Sequence, residues 1–505
     1  MKARIIGRHF IGILPGFPLP SLAMEFSILQ SLANSGVAGV LLIFQLAGLF
    51  LAGRVILSNR STHGTIAWGL SLVMLPLIAV PLYLLFGRNR LESYIEARRR
   101  IDREFMRTHP IHPEHPEGSL KETEDRSEQW KILVDLAKVP LTSGNEVELS
   151  FTGRETFASI AEGMQRAREY ILFQFFIFRT DEEGRRFTEI MKTKAKEGVR
   201  VYFLVDAIGS RHLPRMFFRE LREAGIEAGR FLPGRTLRGR LRLNFRNHRK
   251  VVVVDGREAW TGGHNIGVEY VGGDKRMGAW RDTHLRVKGP AVNAIQLAFL
   301  EDWFWVMRSK LELNWDVAPA NAGLVKALCL ATGPTDPEDT CTLAFVHLIN
   351  QAKKRLWIHS PYFVPAEEVI IALQLATLRG VDVRILLPSQ KDHRMVWLSS
   401  FYFSSLPQLN RVRFYRYHPG FFHSKMMLVD DEILATGTVN FDNRSFRINF
   451  EITLVMQDPE IIRTSEEQMR RDFAQSREDP VDPLAIRSLP FRLAARSVRL
   501  LSPLL

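Results

Sequence analysis

The sequence predicts an α/β protein made of two sheet-and-helix halves related by a pseudo-twofold axis, preceded by a two-helix transmembrane hairpin. Three observations carry this expectation: two long uncharged stretches near the N-terminus, a strand–helix–strand order that occurs twice, and a polar motif that recurs 175 residues downstream with the same internal spacing. A chain of 505 residues is about two to three times the common domain size, so a single compact core is not expected. Hydrophobic residues at 46% and charged ones at 24% give a globular balance and exclude an intrinsically disordered chain.

The hairpin comes first. No side chain is charged from Phe26 to Gly53 or from Gly64 to Phe86, and about 20 apolar residues suffice for a helix to cross a bilayer. The spans are placed at Ser35–Ala52 and Thr65–Phe86, with Pro76 and Pro81 as tolerated kinks. Arg88, Arg90, Arg98, Arg99, Arg100, Arg103 and Arg107 follow the second span, whereas the turn between the spans holds only Arg54 and Arg60. This asymmetry puts everything after Phe86 in the cytoplasm, and Lys2, Arg4 and Arg8 put the N-terminus there too. Pro15, Pro18 and Pro20, with two spans behind them, argue against a cleaved leader.

Residues 1–90 are thus assigned to the N-terminal segment and hairpin, and 91–140 to a basic, Pro- and His-rich linker. There His109, His112 and His115 are interleaved with Pro110, Pro113 and Pro116, which favour an extended chain over a loop closing on a metal. The halves take 141–320 and 321–488, and a tail takes 489–505. In the first half an apolar strand at Tyr170–Phe178 leads through a helical stretch to Gly198–Asp206; in the second, Arg355–Phe363 leads likewise to Gly380–Pro388. Such alternation indicates sheets covered by helices. Cys329 and Cys341 are too few for a zinc ribbon or a disulfide framework.

The motif follows these strands. His248-Arg-Lys250, four valines and Asp255 lead to Gly262-Gly-His-Asn265; His423-Ser-Lys425, four apolar residues and Asp430 lead to Gly437-Thr-Val-Asn440. One His-x-Lys is a common surface accident, but two copies with one spacing mark a duplicated unit. The apolar runs read as buried strands. On a strand, residues two apart share a face, so each histidine points with its lysine. Asp255 and Asp430, an odd number of positions on, face away or lie at the strand end and take a structural part in the catalytic motif.

Folded together, the two copies would gather two imidazoles, two ammonium groups and two carboxamides. That set suits a phosphodiester. One neutral imidazole attacks phosphorus and holds the phosphoryl group covalently; the other, protonated, serves the leaving and entering oxygens. Lys250, Lys425, Asn265 and Asn440 stabilise the non-bridging oxygens, so no metal or other cofactor is required. A net charge of +13 fits an anionic partner: nucleic acid, a phospholipid surface or a phosphorylated substrate.

The doubled His-x-Lys-x4-Asp resembles the signature of the phospholipase D superfamily. Within it, the chain is similar to bacterial cardiolipin synthases in its hairpin, Trp280-Arg-Asp-Thr-His284, Gly289-Pro-Ala291, Pro361-Tyr-Phe-Val-Pro365, Arg444-Ser445, Asn449-Phe-Glu451 and the closing Ser502-Pro-Leu-Leu505. The resemblance implies phospholipase D-like halves on a multi-pass protein of the bacterial inner membrane. It also implies phosphatidyl transfer between two phosphatidylglycerol molecules, giving cardiolipin and glycerol through a phosphohistidine. Phosphatidylglycerol, other anionic phospholipids and the bilayer would be the partners, with no nucleic acid. In that family a carboxylate some 30 positions beyond the motif orients a histidine. The matching residues are Asp282, 34 beyond His248, and Glu451, 28 beyond His423. The hydroxyl residue often found after the motif glycine is Thr438 in the second half but Gly263 in the first, which puts that hydrogen bond in doubt there.

Read without the resemblance, the residues reach only phosphodiester exchange on a membrane. A phospholipase D using water would need the same side chains. A nuclease would suit the charge, yet gives no reason for two spans and lacks evident stacking aromatics. Two intact motifs oppose a non-catalytic scaffold. Two surfaces are expected to meet lipid: the arginine-rich stretch Arg230–Phe245, with an ordinary solvated loop as the alternative, and the tail, where Arg492, Arg496 and Arg499 fall on one helical stripe and Phe491, Ala495, Val498 and Leu501 on another, with a helix capping the core as the alternative.

Overall fold

The computed structural model describes residues 36–57, 62–84, 99, 127–232, 245–320 and 323–504. The proline-rich start, the arginines after the second span other than Arg99, the His109–His115 linker and residues 233–244 of the arginine-rich stretch lie outside the described residues. The chain divides into two units, residues 1–92 and 93–505.

In the first unit Gly36–Ile56 is one uninterrupted helix, and its Gly39–Ile56 portion is long and apolar enough to cross a membrane. The second apolar run differs from expectation. It forms two helices, Thr62–Met74 and Pro76–Leu82, broken at Leu75 with φ −133° and ψ 53°. Pro76 is the cause, since it has no N–H to give and pushes the preceding residue out of the α region. The two runs pack closely: a Cβ added at Gly48 would lie 2.3 Å from the Leu72 carbonyl oxygen, and Gln45 Nε2 donates to the Val73 carbonyl at 3.2 Å.

The duplicated plan appears in the second unit as two matching sheets. The first runs Glu227–Phe231, Arg200–Asp206, Tyr170–Phe175, Val251–Val254, Glu258–Gly262, Ala279–Lys288, Thr142–Thr152. The second runs Arg413–Tyr417, Asp382–Pro388, Arg355–His359, Met426–Val429, Ile433–Gly437, Asn449–Gln457, Val325–Thr332. In each, three parallel strands from the strand–helix–strand repeat are followed by antiparallel ones. Two expected strands end early, at Phe175 and His359, where the chain leaves the sheet toward the site.

Side-chain alternation places two kinds of core. Tyr170, Leu172, Val251 and Val253 pack in one cluster with Trp357, Met426, Leu428 and Leu454 of the other half. Their neighbours Ile171, Phe173, Val252 and Val254 point instead to Phe157, Met164, Phe187 and Met191 on the covering helices. Because the inner core belongs to both sheets, the halves are held face to face as one unit. Thr142–Thr152 adds to this by pairing with strands of both sheets.

Most of the arginine-rich stretch lies outside the described residues, and the tail packs as a helix capping the protein itself. Arg230 lies over the Phe218 ring at 4.2 Å and donates to the Leu213 carbonyl at 2.5 Å, while Phe231 is in the core. In the tail helix Leu489–Val498, Phe491 and Ala495 pack against Trp397 and Phe401 of the protein itself. The aromatic wall offered by Arg394–Ser404, invisible in the tail's own sequence, captures that stripe.

Candidate active site

Each motif histidine is held by the opposite half. The strands begin only at Val251 and Met426, so His248 and His423 stand just before them rather than on them, as the patterning had placed them. The reason is a crossover: Arg246–Asn247 pairs in parallel with Asn449–Phe450, and Gly420–Phe422 with Ala279–Arg281. The His248 N–H then donates to the Phe450 carbonyl at 2.9 Å, and the His423 N–H to the Arg281 carbonyl at 2.8 Å.

The carboxylates are exchanged in the same way. His248 Nδ1 lies 2.9 Å from Glu451 Oε2, and His423 Nδ1 lies 2.6 Å from Asp282 Oδ2. A bond at Nδ1 fixes ring orientation and leaves Nε2 for other work. Asp282 therefore serves the histidine of the second motif and Glu451 that of the first, a crossing that spacing along the chain cannot reveal.

Lys250 and Lys425 fold back on their motifs. Lys250 Nζ donates to the His248 carbonyl at 2.7 Å, and Lys425 Nζ donates to the His423 carbonyl. Lys425 Nζ is also 2.8 Å from His423 Nδ1 and 3.7 Å from Asp282 Oδ2. Burial pulls Lys250 down to about 7 and lowers Lys425, against the pull of nearby carboxylates. It also brings His248 down to about 4 and lowers His423, against the opposing pull of Glu451 and Asp282. Burial alone would raise the carboxyls; Lys425 and His423 outweigh it at Asp282, and His248 and Lys250 at Glu451, holding both ionised.

Asp255 and Asp430 are far from this chemistry. Both adopt left-handed backbone, φ 53° and 50°, at the distal end of the motif strand. Asp255 accepts from the N–H groups of Arg168, Glu169 and Tyr170 at 2.8–2.9 Å. Asp430 does the same for Lys353, Lys354 and Arg355 at 2.7–2.9 Å. They tie the motif to the strand that opens each strand–helix–strand repeat, Tyr170–Phe175 and Arg355–His359, a structural part rather than the catalytic one their place in the motif suggests. Neither lines the cavity.

That cavity has a volume of about 1,210 Å³, and His248, His423, Asn265 and Asn440 all line it. Asn265 is largely committed to the protein, accepting from the Ile177 N–H at 3.0 Å and donating to the Tyr270 hydroxyl at 3.2 Å. Asn440 Oδ1 is buried without a protein hydrogen bond.

The sequence assigns Phe176 no role, and Trp280 and Asn449 enter only as parts of the family-like segments. Phe176 meets the His248 ring edge-on at 5.1 Å and takes Lys250 Nζ over its face at 5.6 Å; Trp280 lies 5.2 Å from the His423 ring. Asn449 Nδ2 donates to Glu451 Oε1 at 3.0 Å and the Thr438 hydroxyl to Oε2 at 2.5 Å. Trp280 and Asn449 share one offset from their carboxylates, two residues before each, which was the available signal.

Comparison with known proteins agrees with this arrangement. The family described as "Cardiolipin synthase, PLD-like domain" matches residues 160–288 and again 345–473, and "Phospholipase D-nuclease N-terminal" matches 40–88. Cardiolipin synthase A of Pseudomonas aeruginosa (strain LESB58) is 41% identical over 483 residues, covering 94% of this chain and 98% of that one. Cardiolipin synthase A of Pseudomonas entomophila (strain L48) is 40% identical over 471 residues, covering 92% and 97%. The crystal structure of phosphatidylserine synthase from Haemophilus influenzae Rd KW20 shares the fold at 14% identity, with a TM-score of 0.58 over 75% of this chain and 100% of that one. Two matched repeats and a relative aligned over nearly the full length place the chain in the cardiolipin synthase family of membrane-associated phospholipid phosphatidyltransferases, within the phospholipase D superfamily.

Proposed function

We propose that this enzyme moves a phosphatidyl group from one phosphatidylglycerol to another, forming cardiolipin and releasing glycerol. The observation that carries the reading is the pair of imidazoles, each tied at Nδ1 to a carboxylate of the other half and both lining one cavity. In the first step Nε2 of one histidine attacks phosphorus, a P–N bond forms and the P–O bond to glycerol breaks. The second histidine, protonated, gives its proton to the departing oxygen. In the second step it takes the proton of the accepting lipid's hydroxyl, whose oxygen displaces the histidine from phosphorus.

Lys250, Lys425, Asn265 and Asn440 are assigned to offset charge on the non-bridging oxygens; the two asparagines line the cavity and the lysines sit buried behind the histidines. Asp282 and Glu451 orient the rings and favour their protonated forms. The paired apolar runs of the first unit and the arginines after Phe86 support a multi-pass protein of the bacterial inner membrane with a cytoplasmic catalytic unit. The domain limits proposed are those of the sequence: 1–90, 91–140, 141–320, 321–488 and 489–505.

Purified protein supplied with phosphatidylglycerol is expected to yield cardiolipin and glycerol in equal amounts, read by lipid mass spectrometry and a glycerol assay. Phosphatidic acid as the main product would overturn the reading in favour of hydrolysis.

A further inference from the structure

The motif residues of the two halves match in kind, but the cavity around them does not. Two positions related by the repeat make the contrast. Arg246 pairs with Asn449 beside His248; the equivalent pair beside His423 is Phe421 with Trp280. Arg444, in the short helix Asn443–Arg447, is equivalent by the 175-residue offset to Glu269. Glu269 is already neutralised by Arg179 Nε at 3.1 Å. Thus Arg246 and Arg444 line the cavity together with His248, where the equivalent positions of the other half hold an aromatic ring and a closed ion pair; Lys275, Arg276 and Arg394 line the cavity as well.

Two half-buried guanidiniums that line one cavity attract an anion that enters it. Asp206, Asp442 and Glu451 offset part of the charge, yet burial lowers both guanidiniums and at Arg246 the neighbouring Arg444 adds to the lowering. Arginine's fixed fork suits a phosphodiester with two free oxygens. The proposed reaction needs a second such group: the donor's phosphate occupies the one pair of histidines, and the acceptor brings another phosphate a glycerol's length away. We propose that Arg246 and Arg444 form a second phosphate subsite, which seats the phosphodiester of the accepting phospholipid while its free hydroxyl reaches the reaction centre. This rests on the phosphatidyl-transfer reading above.

The test compares two reactions of Arg246→Gln and Arg444→Gln in the full-length protein: cardiolipin formation, and incorporation of labelled glycerol into phosphatidylglycerol. The second uses the same donor chemistry with an acceptor that has no phosphate. The ratio of the first rate to the second is expected to fall about tenfold in each variant and to recover in part with lysine at the same position. A ratio within about twofold of the native value overturns the subsite. In the native protein, a 1-alkylglycerol should accept about tenfold less well than phosphatidylglycerol, and equal acceptance overturns it without any variant. If the native protein neither exchanges glycerol nor makes cardiolipin, the transfer reading itself fails.

Discussion

The two histidine sites reach the same bond by different means. Around His248 the orienting group is the longer Glu451, held by Thr438 and Asn449. Around His423 it is the shorter Asp282, whose Oδ1 takes the Thr283 N–H at 2.8 Å. Gly263 explains the absence of a hydroxyl there: a Cβ at that position would lie 1.9 Å from Asp282 Oδ1. The carboxylate fills the space a side chain would need, so the missing hydrogen bond of the first half is replaced by a backbone one. Duplicated sites can therefore keep a function while trading side-chain length against the size of a neighbour.

The largest expected effect tests whether the sites act as one. His248→Ala or His423→Ala should each cut cardiolipin formation by at least about 10³-fold, with the double variant little worse. A loss under about tenfold in either, measured as initial rate, would break the equivalence. Next, Asp282→Asn should cost more than Glu451→Gln, about 10³-fold against about 10²-fold in kcat/KM, because Asp282 faces Lys425 as well as its histidine. The reverse order would assign greater weight to the Thr438 and Asn449 supports.

The anchoring aspartates should behave differently from both. Asp255→Asn or Asp430→Asn is expected to lower stability by about 1–3 kcal/mol, read by denaturant unfolding, with the kcat of the folded fraction within about threefold of native. A collapse of kcat at unchanged stability would return them to the chemistry. For pH, the sign follows from burial: His248 is lowered to about 4, whereas a free imidazole titrates near ~6.5. Between these values the unfolded chain binds the extra proton, so stability is retained above about 6.5 and lost as pH falls through about 4. The acid limb of kcat/KM should therefore lie well below ~6.5. A limb at the free value would mean that His248 is not buried neutral. The smallest effect sharpens the comparison: Thr438→Val should cost about tenfold or less, and Gly263→Ser should displace Asp282 without disturbing His248, seen as unchanged NMR titration of that ring.

Much of the plan was legible in the chain because it rests on local chemistry and repetition. Uninterrupted apolar runs marked the buried strands at Val251–Val254 and Met426–Val429, and one constant offset marked the duplication. Even the structural part of Asp255 and Asp430 followed from counting positions on a strand. Other features needed partners distant in sequence. Pro76 was read as a kink, but the break at Leu75 makes two helices. The tail's apolar stripe was visible, but not the Trp397 and Phe401 wall that covers it.

Sequence alone determined that two histidine–lysine motifs exist, what surrounds each within a few residues, and the chemistry those residue types favour. Which carboxylate holds which histidine was decided by the tertiary structure, because the half-sheets share an inner core and their edges exchange short parallel pairs. A hydrogen bond across that seam depends on how two surfaces meet, and spacing within either one does not encode it.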